Sequence, residues 1–175
     1  DAYKWLEAAI LGYAQFPFKE LQSNIDDFTS VIKAAQQPDG YLYTYNQLIF
    51  PESRWENLQI EHELYCHGHL IEAAVSHFQI TKNTELLDVG LKAANLLVET
   101  FLDKGPLHTP GHQEIEIALL RLFEISQNRL YLQLVHQFLN QRGQYSPLSF
   151  AFHMLGENQQ VDQRTKHYQE IQQNF

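Results

Sequence analysis

The sequence is poor in cysteine, in basic residues and in unbroken apolar runs, and each shortage removes a class of protein. Cys66 is the single cysteine of the 175 residues. One thiol excludes an internal disulfide framework and any zinc cluster built from several cysteines of this chain, and it fits a reducing, cytoplasmic setting. Lys and Arg number 12 against 21 Asp and Glu, a net charge of −9. No basic run of five or more residues breaks that acidity, so nucleic-acid phosphate is not an expected partner. No apolar stretch has the length of a membrane span, and no positively charged segment leads into an apolar one as a secretion signal would. The sequence starts at Asp1-Ala2-Tyr3-Lys4 without an initiator methionine, which reads as a cut start. Strand-like alternation is also scarce, being confined to Tyr41, Tyr43 and Tyr45.

What is present is enough apolar material, 44% of residues, to bury a core of ordinary size. Apolar positions recur at helical spacing along almost the whole chain, which predicts an all-α fold. Helices are expected at about Ala2 to Gln15, Lys19 to Gln36, Glu61 to Ile80, Thr84 to Phe101, Gly111 to Ser126 and Asn128 to Gln141, with a short seventh near Phe150 to Leu155. Pro38-Asp39-Gly40, Asp103 to Pro110 and Gly143 to Pro147 supply turn chemistry between them.

The chain also resembles itself. Leu6-Glu7-Ala8-Ala9-Ile10 returns as Ile71-Glu72-Ala73-Ala74-Val75, with Tyr13 matching Phe78 and Glu20-Leu21 matching Glu85-Leu86. A second register pairs Phe78 with Phe123, Asn83 with Asn128, Leu87 with Leu132 and Asn95 with Asn140. Three helical hairpins therefore repeat, and one hairpin cannot bury its apolar surface without neighbours. An open solenoid and a ring closing into an α/α toroid both satisfy this. The helix after Glu61 carries Leu64, Gly68, Ile71, Val75 and Phe78 on one stripe and Cys66, Leu70 and Ala73 opposite, as an inner helix wrapped on both sides would. The segment Tyr41 to Asn57, with three tyrosines and Trp55, is longer than a helix connection needs and is expected over the mouth of a central cavity.

Two polar clusters could carry chemistry. In Glu61-His62-Glu63-Leu64-Tyr65-Cys66-His67-Gly68-His69, the residues His62, Cys66 and His69 stand at i, i+4 and i+7 of a helix, a spacing that zinc could use. The same spacing suits Cys66 as a small buried apolar residue and the histidines as hydrogen-bonding groups facing a cavity. In Pro110-Gly111-His112-Gln113-Glu114-Ile115-Glu116, the carboxylates suit the first turn of a helix. His112 would lie beside His62 if the hairpins stack in register. Histidines and aromatic rings around a polar cavity, with Tyr41, Tyr45, Trp55 and His69 as further lining, suit a neutral, hydroxyl-rich ligand such as a sugar. Among Glu61, Glu63, Glu72, Glu114 and Glu116 no hydrolytic carboxylate pair stands out, and nucleophile-elbow, phosphate-loop and dinucleotide patterns are missing.

Several ordered motifs resemble the N-terminal half of glycoside hydrolase family 127, the β-L-arabinofuranosidases, formerly a domain of unknown function. They are Tyr3-Lys4-Trp5-Leu6-Glu7-Ala8, Gln37-Pro38-Asp39-Gly40-Tyr41-Leu42, Arg54-Trp55 with Asn57-Leu58, His62-Glu63-Leu64-Tyr65-Cys66 with Gly68-His69-Leu70, Pro110-Gly111-His112-Gln113-Glu114-Ile115-Glu116, and Gln141-Arg142-Gly143. The likeness runs from Asp1 to about Gly143 and is loose over the Gln-rich segment 144–175. It implies an (α/α)6 barrel, of whose roughly twelve helices this chain supplies six or seven. It also implies retaining cleavage of a terminal L-arabinofuranose from a glycan, with His62 and His112 matching histidines that hydrogen-bond sugar hydroxyls. The family's nucleophile is a cysteine thiolate on a zinc ion held by three cysteines and a glutamate, with a separate glutamate as acid/base. Those motifs lie in the second half of the barrel and are not in this sequence, and Cys66 matches a helix cysteine that is not the nucleophile. The expectation is thus a sugar-binding wall without catalytic or metal-binding residues of its own, inactive alone and completed by the other barrel half or a second copy. A non-catalytic helical-repeat protein that binds carbohydrate or acts as a scaffold is the alternative.

Overall fold

The computed structural model describes residues 2–59, 61–155, 166 and 169, so that most of the Gln-rich segment 144–175 lies outside the described residues. The α-helices are α1 (Ala2–Gln15), α2 (Lys19–Ala35), α3 (Thr44–Ile49), α4 (Glu63–Thr81), α5 (Glu85–Phe101), α6 (Glu114–Ser126) and α7 (Arg129–Gln141). Short 3₁₀ turns occupy Pro51–Ser53 and Pro106–His108, and residues 147–155 are helical as well. Among the described residues there is no strand.

The repeat in the sequence is a repeat of turn chemistry. The first helix of the second hairpin ends with Lys82 at φ 62°, and its N–H donates to the carbonyl of Phe78. The first helix of the third ends with Gln127 at φ 55°, donating to the carbonyl of Phe123. Each left-handed cap is followed by an asparagine whose side chain starts the return helix: Asn83 Oδ1 accepts from Glu85 N at 2.8 Å, and Asn128 Oδ1 from Leu130 N at 3.1 Å. A left-handed residue closes the last turn of a helix, and the Asn side chain satisfies an orphan N–H of the next. The matched Phe and Asn pairs are the sequence trace of this device.

Three hairpins follow, α1/α2, α4/α5 and α6/α7. The first helices pack side by side, α4 lying between α1 and α6, while α2, α5 and α7 form a second layer behind them. Helix α4 divides its apolar residues between two cores. Leu64, Ile71 and Val75 pack with Leu97, Phe101, Ile115, Leu119, Leu122 and Phe138, whereas Leu70, Ala73 and Ala74 pack with Leu6, Ile10, Ile25, Leu86 and Ala93. This wrapping is why apolar residues occupy two sides of α4, as expected of an inner helix in an α/α barrel. A close approach at Gly68 seats α6: a Cβ there would meet Glu114 Cγ at 2.8 Å.

The structure shifts two helix starts by more than one residue. Helix α4 begins at Glu63 rather than Glu61, and α6 begins at Glu114 rather than Gly111. The second shift has a clear cause. Gly111 N donates to Leu58 O at 2.9 Å, and a Cβ on Gly111 would lie 2.2 Å from Gln59 O. Pro110 and Gly111 are thereby committed to the neighbouring loop before the helix can start. Arg142 fastens the same loop, donating to Pro110 O and to the buried Glu116 carboxylate, which accounts for the Gln141-Arg142-Gly143 motif.

Candidate functional site

Helix α4 presents polar groups on two opposite faces. At about 100° per residue, His62, Tyr65, His69, Glu72 and Ser76 fall on one side and Glu63 and His67 on the other.

The second face holds the segment after Gly40. Glu63 is 1% exposed and accepts hydrogen bonds from Tyr41 Oη, from Asn46 Nδ2 at 3.0 Å and from Trp55 N at 2.9 Å. Burial raises its carboxyl above the usual range, and the three donors partly offset this. His67 is fully buried, its Nδ1 2.7 Å from Glu63 O and its Nε2 accepting from Leu42 N at 3.2 Å. Burial pushes the His67 pKa down to about 4, so the ring is neutral near pH 7. Trp55 packs edge-on to Tyr41 and Phe101, and the Arg54 guanidinium lies 3.9 Å from the Tyr41 ring centre while pairing with Asp39 at 2.7 Å. This part of the polar motif is therefore an anchor, clamping α3 and its flanking turns onto the end of α4.

The first face is shared with α1 and α6. The Tyr65 ring lies edge-to-face with three imidazoles, at 5.3 Å from His62, 4.4 Å from His69 and 4.7 Å from His112. Lys4 Nζ on α1 donates to Tyr65 Oη at 3.1 Å. His62 and His112 are exposed, and His69 is half-buried beneath them. His112 Nδ1 accepts from Glu114 N at 3.1 Å, so the neutral ring carries its proton on Nε2 and offers it outward as a donor. One turn deeper, His69 Nδ1 lies 3.1 Å from Glu114 Oε1, and burial keeps the ring's pKa below the usual histidine range. Arg121 closes the row, donating to Glu72 at 2.8 Å, Glu7 at 3.0 Å and Ser76 at 2.8 Å, while Ser76 Oγ donates to Glu7 at 2.7 Å.

Burial and the hydrogen bond shared with Glu72 push the Glu114 carboxyl up to about 7. Sequence reasoning missed this pairing because Glu114 alone is explained by its place in a helix first turn. Only the packing of α4 on α6 brings Glu72 to it. Among the described residues, His69, Glu72 and Glu114 bring one potential ligand atom each within 4.8 Å of one another. Arg121 pairs with both Glu72 and Glu7, and the raised pKa of the Glu114 carboxyl lessens its repulsion with Glu72.

The predicted residues thus separate into two groups. His62, His69 and His112 come together around Tyr65. Tyr41 and Trp55 are placed with Glu63 and His67 on the other side of α4, and Tyr45 packs edge-on to Phe50. Cys66 does not join His62 and His69 in a ligand set; it lines a cavity of about 200 Å³ with Tyr3, Tyr43 and Tyr45. Burial raises its thiol pKa, the opposite of what a zinc-bound or nucleophilic thiolate requires. The three-cysteine zinc set implied by the family resemblance therefore does not fit the residues of this chain.

Two layers of helical hairpins with histidines, carboxyl groups and an arginine along one inner face define part of an α/α-barrel protein. Comparison with known proteins gives the family. The model of the β-L-arabinofuranosidase GH127 catalytic domain matches residues 1–174, and the chain belongs to that family. A non-reducing end β-L-arabinofuranosidase of Bifidobacterium longum subsp. longum is 40% identical over 150 residues, 82% of this chain and 23% of that protein. Among solved structures, a GH127 β-L-arabinofuranosidase from Geobacillus stearothermophilus T6 superposes with a TM-score of 0.77 at 40% identity, covering 93% of this chain and 25% of its own. A second GH127 β-arabinofuranosidase gives 0.74 at 34% identity, covering 83% of this chain and 24% of its own. The chain therefore spans about a quarter of the length of the relatives it matches.

Proposed function

We propose that these residues form the sugar-binding wall of a retaining β-L-arabinofuranosidase. His62 and His112 hydrogen-bond the hydroxyls of a terminal L-arabinofuranose on a glycan. The observation that carries this reading is the convergence of the two exposed histidines on Tyr65, within a chain of this family. With its Nδ1 occupied by Glu114 N, His112 donates from Nε2 to a hydroxyl oxygen. The raised Glu114 carboxyl and the lowered His69 imidazole reduce the charge on the floor of the wall, which suits a sugar better than an ionic ligand.

In this reading the acid/base and the nucleophile come from sequence beyond these residues, because Cys66 is a half-buried thiol whose pKa burial raises. The other half of the barrel, or a second copy, supplies the opposite wall. Two measurements test the reading. Adding methyl β-L-arabinofuranoside at millimolar concentration should move the imidazole NMR signals of His62 and His112 and leave those of the buried His67 in place; unchanged His62 and His112 signals would refute the wall. The purified 175-residue chain should release no aglycone from an aryl β-L-arabinofuranoside. Turnover that a chelator abolishes would refute the division of labour.

A further inference from the structure

A sugar hydroxyl is recognised only if the donor that meets it is held within about half an ångström of its place. The backbone fixes neither ring fully: the bond from Glu114 N to His112 Nδ1 leaves the tilt of that ring open. His62 is the residue before α4, at φ −97° and ψ 30°, and makes no side-chain capping bond, while His112 lies in the exposed turn before α6. They belong to different hairpins. Tyr65 packs against both rings, and it also meets His69, whose ring lies against the Glu114 carboxyl on α6. Tyr65 is itself fixed from the third inner helix, since Lys4 Nζ donates to its hydroxyl at 3.1 Å and stands 5.4 Å from its ring centre. A tyrosine serving only as core filler would turn its ring onto aliphatic neighbours. This one offers its ring to three imidazoles, and a T-shaped contact fixes the tilt of an imidazole as well as its position.

We propose that Tyr65 is a positioning residue: its ring sets the orientation of the His62 and His112 imidazoles, and Lys4 locks that ring from α1. Tyr65 need not touch the sugar. The sugar readout rests on the wall described above, whereas the orientation of the histidines does not, so the two can fail separately.

The experiment compares the full chain with Tyr65→Phe, Tyr65→Ala and Lys4→Met, after circular dichroism confirms that each is helical. Long-range ¹H–¹⁵N spectra report the tautomer of each histidine without any ligand. The parent should show His112 protonated at Nε2, and Tyr65→Phe, which keeps the ring but loses the bond from Lys4, should depart from this no further than Lys4→Met does. Tyr65→Ala should show displaced ring signals of both His62 and His112, with His112 losing part of its Nε2-protonated population as the bond from Glu114 N loosens. Lys4→Met should give a smaller change of the same kind, and it covers the case in which Tyr65→Ala fails to fold. With methyl β-L-arabinofuranoside as the probe, Tyr65→Ala should weaken binding about tenfold and Tyr65→Phe about threefold or less. Unchanged histidine spectra in both Tyr65→Ala and Lys4→Met would overturn the proposal. Altered spectra in a protein whose parent does not respond to the arabinoside would support it and refute the sugar-binding wall.

Discussion

Glu114 is a carboxyl group placed where another, Glu72, already stands, and this juxtaposition makes the molecule sensitive to pH. Its pKa rises to about 7 from an ordinary 4.5. Between those values the folded chain keeps a proton that the unfolded chain has released, so stability falls as the pH rises through the window. His67 acts in the opposite sense. Its pKa falls from 6.5 to about 4, so the unfolded chain takes up a proton that the folded chain refuses, and stability is lost on acidification through that range. From about pH 4.5 to 6.5 the two slopes oppose each other, the raised Glu63 adding to the first and the lowered His69 and His77 to the second. Glu114→Gln removes one contributor to the first slope, so the thermal midpoint should climb with pH more steeply than in the parent across that interval; an unchanged pH dependence would contradict the assignment. His67→Ala leaves the Leu42 N–H without its acceptor and opens a cavity beneath Tyr41 and Trp55, which should cost about 2–4 kcal/mol in chemical denaturation. At this scale the sequence was only half legible. It marked the stretch from Glu61 to His69 as chemically dense, but the split into an anchor and a histidine-lined side depends on which neighbour packs against which face of α4.

At the scale of elements, helix existence and order are legible because apolar spacing is a local property, and the hairpin turns announce themselves through the paired Phe and Asn positions. What escapes is any boundary set by a distant contact. Helix α6 starts three residues later than its pattern suggests, because Gly111 is spent on the loop at Leu58 and Gln59. The aromatic segment contains α3, which the alternation of its tyrosines hid; Asn46 of α3 and the flanking Tyr41 are tied to Glu63 instead. Two glycines give a controlled comparison of context. Gly68→Ala drives a methyl group into Glu114 at the α4–α6 contact and should destabilise the fold by about 1–3 kcal/mol. Gly12→Ala on α1 meets nothing within 4 Å and should stabilise it by about 0.5–1 kcal/mol through helix propensity. Urea denaturation of the two variants checks both signs, and equal effects would show that the helix contact at Gly68 is not tight.

For the whole molecule, the three hairpins leave apolar side chains open on both flanks. Trp5 (51% exposed) and Val31 (61%) border a groove with Ala2 and Phe28 beside α1 and α2, and Ile117 (52%) and Leu139 (56%) lie open on α6 and α7. Side chains of this size in water favour association. Sedimentation of the 175-residue chain should show association that grows with concentration and weakens in Val31→Glu and Ile117→Lys; a monomer at high concentration would argue against it. The sequence alone determined the all-α class, the hairpin repeat and the family, because periodicity, capping residues and ordered motifs are written in neighbouring positions. The tertiary structure decided the site. The contacts of Tyr65 with His112, of Glu72 with Glu114 and of Glu63 with Tyr41 join residues far apart in the chain. Such contacts, and the burial that shifts their protonation, exist only once α4 packs against α6 and against the segment after Gly40.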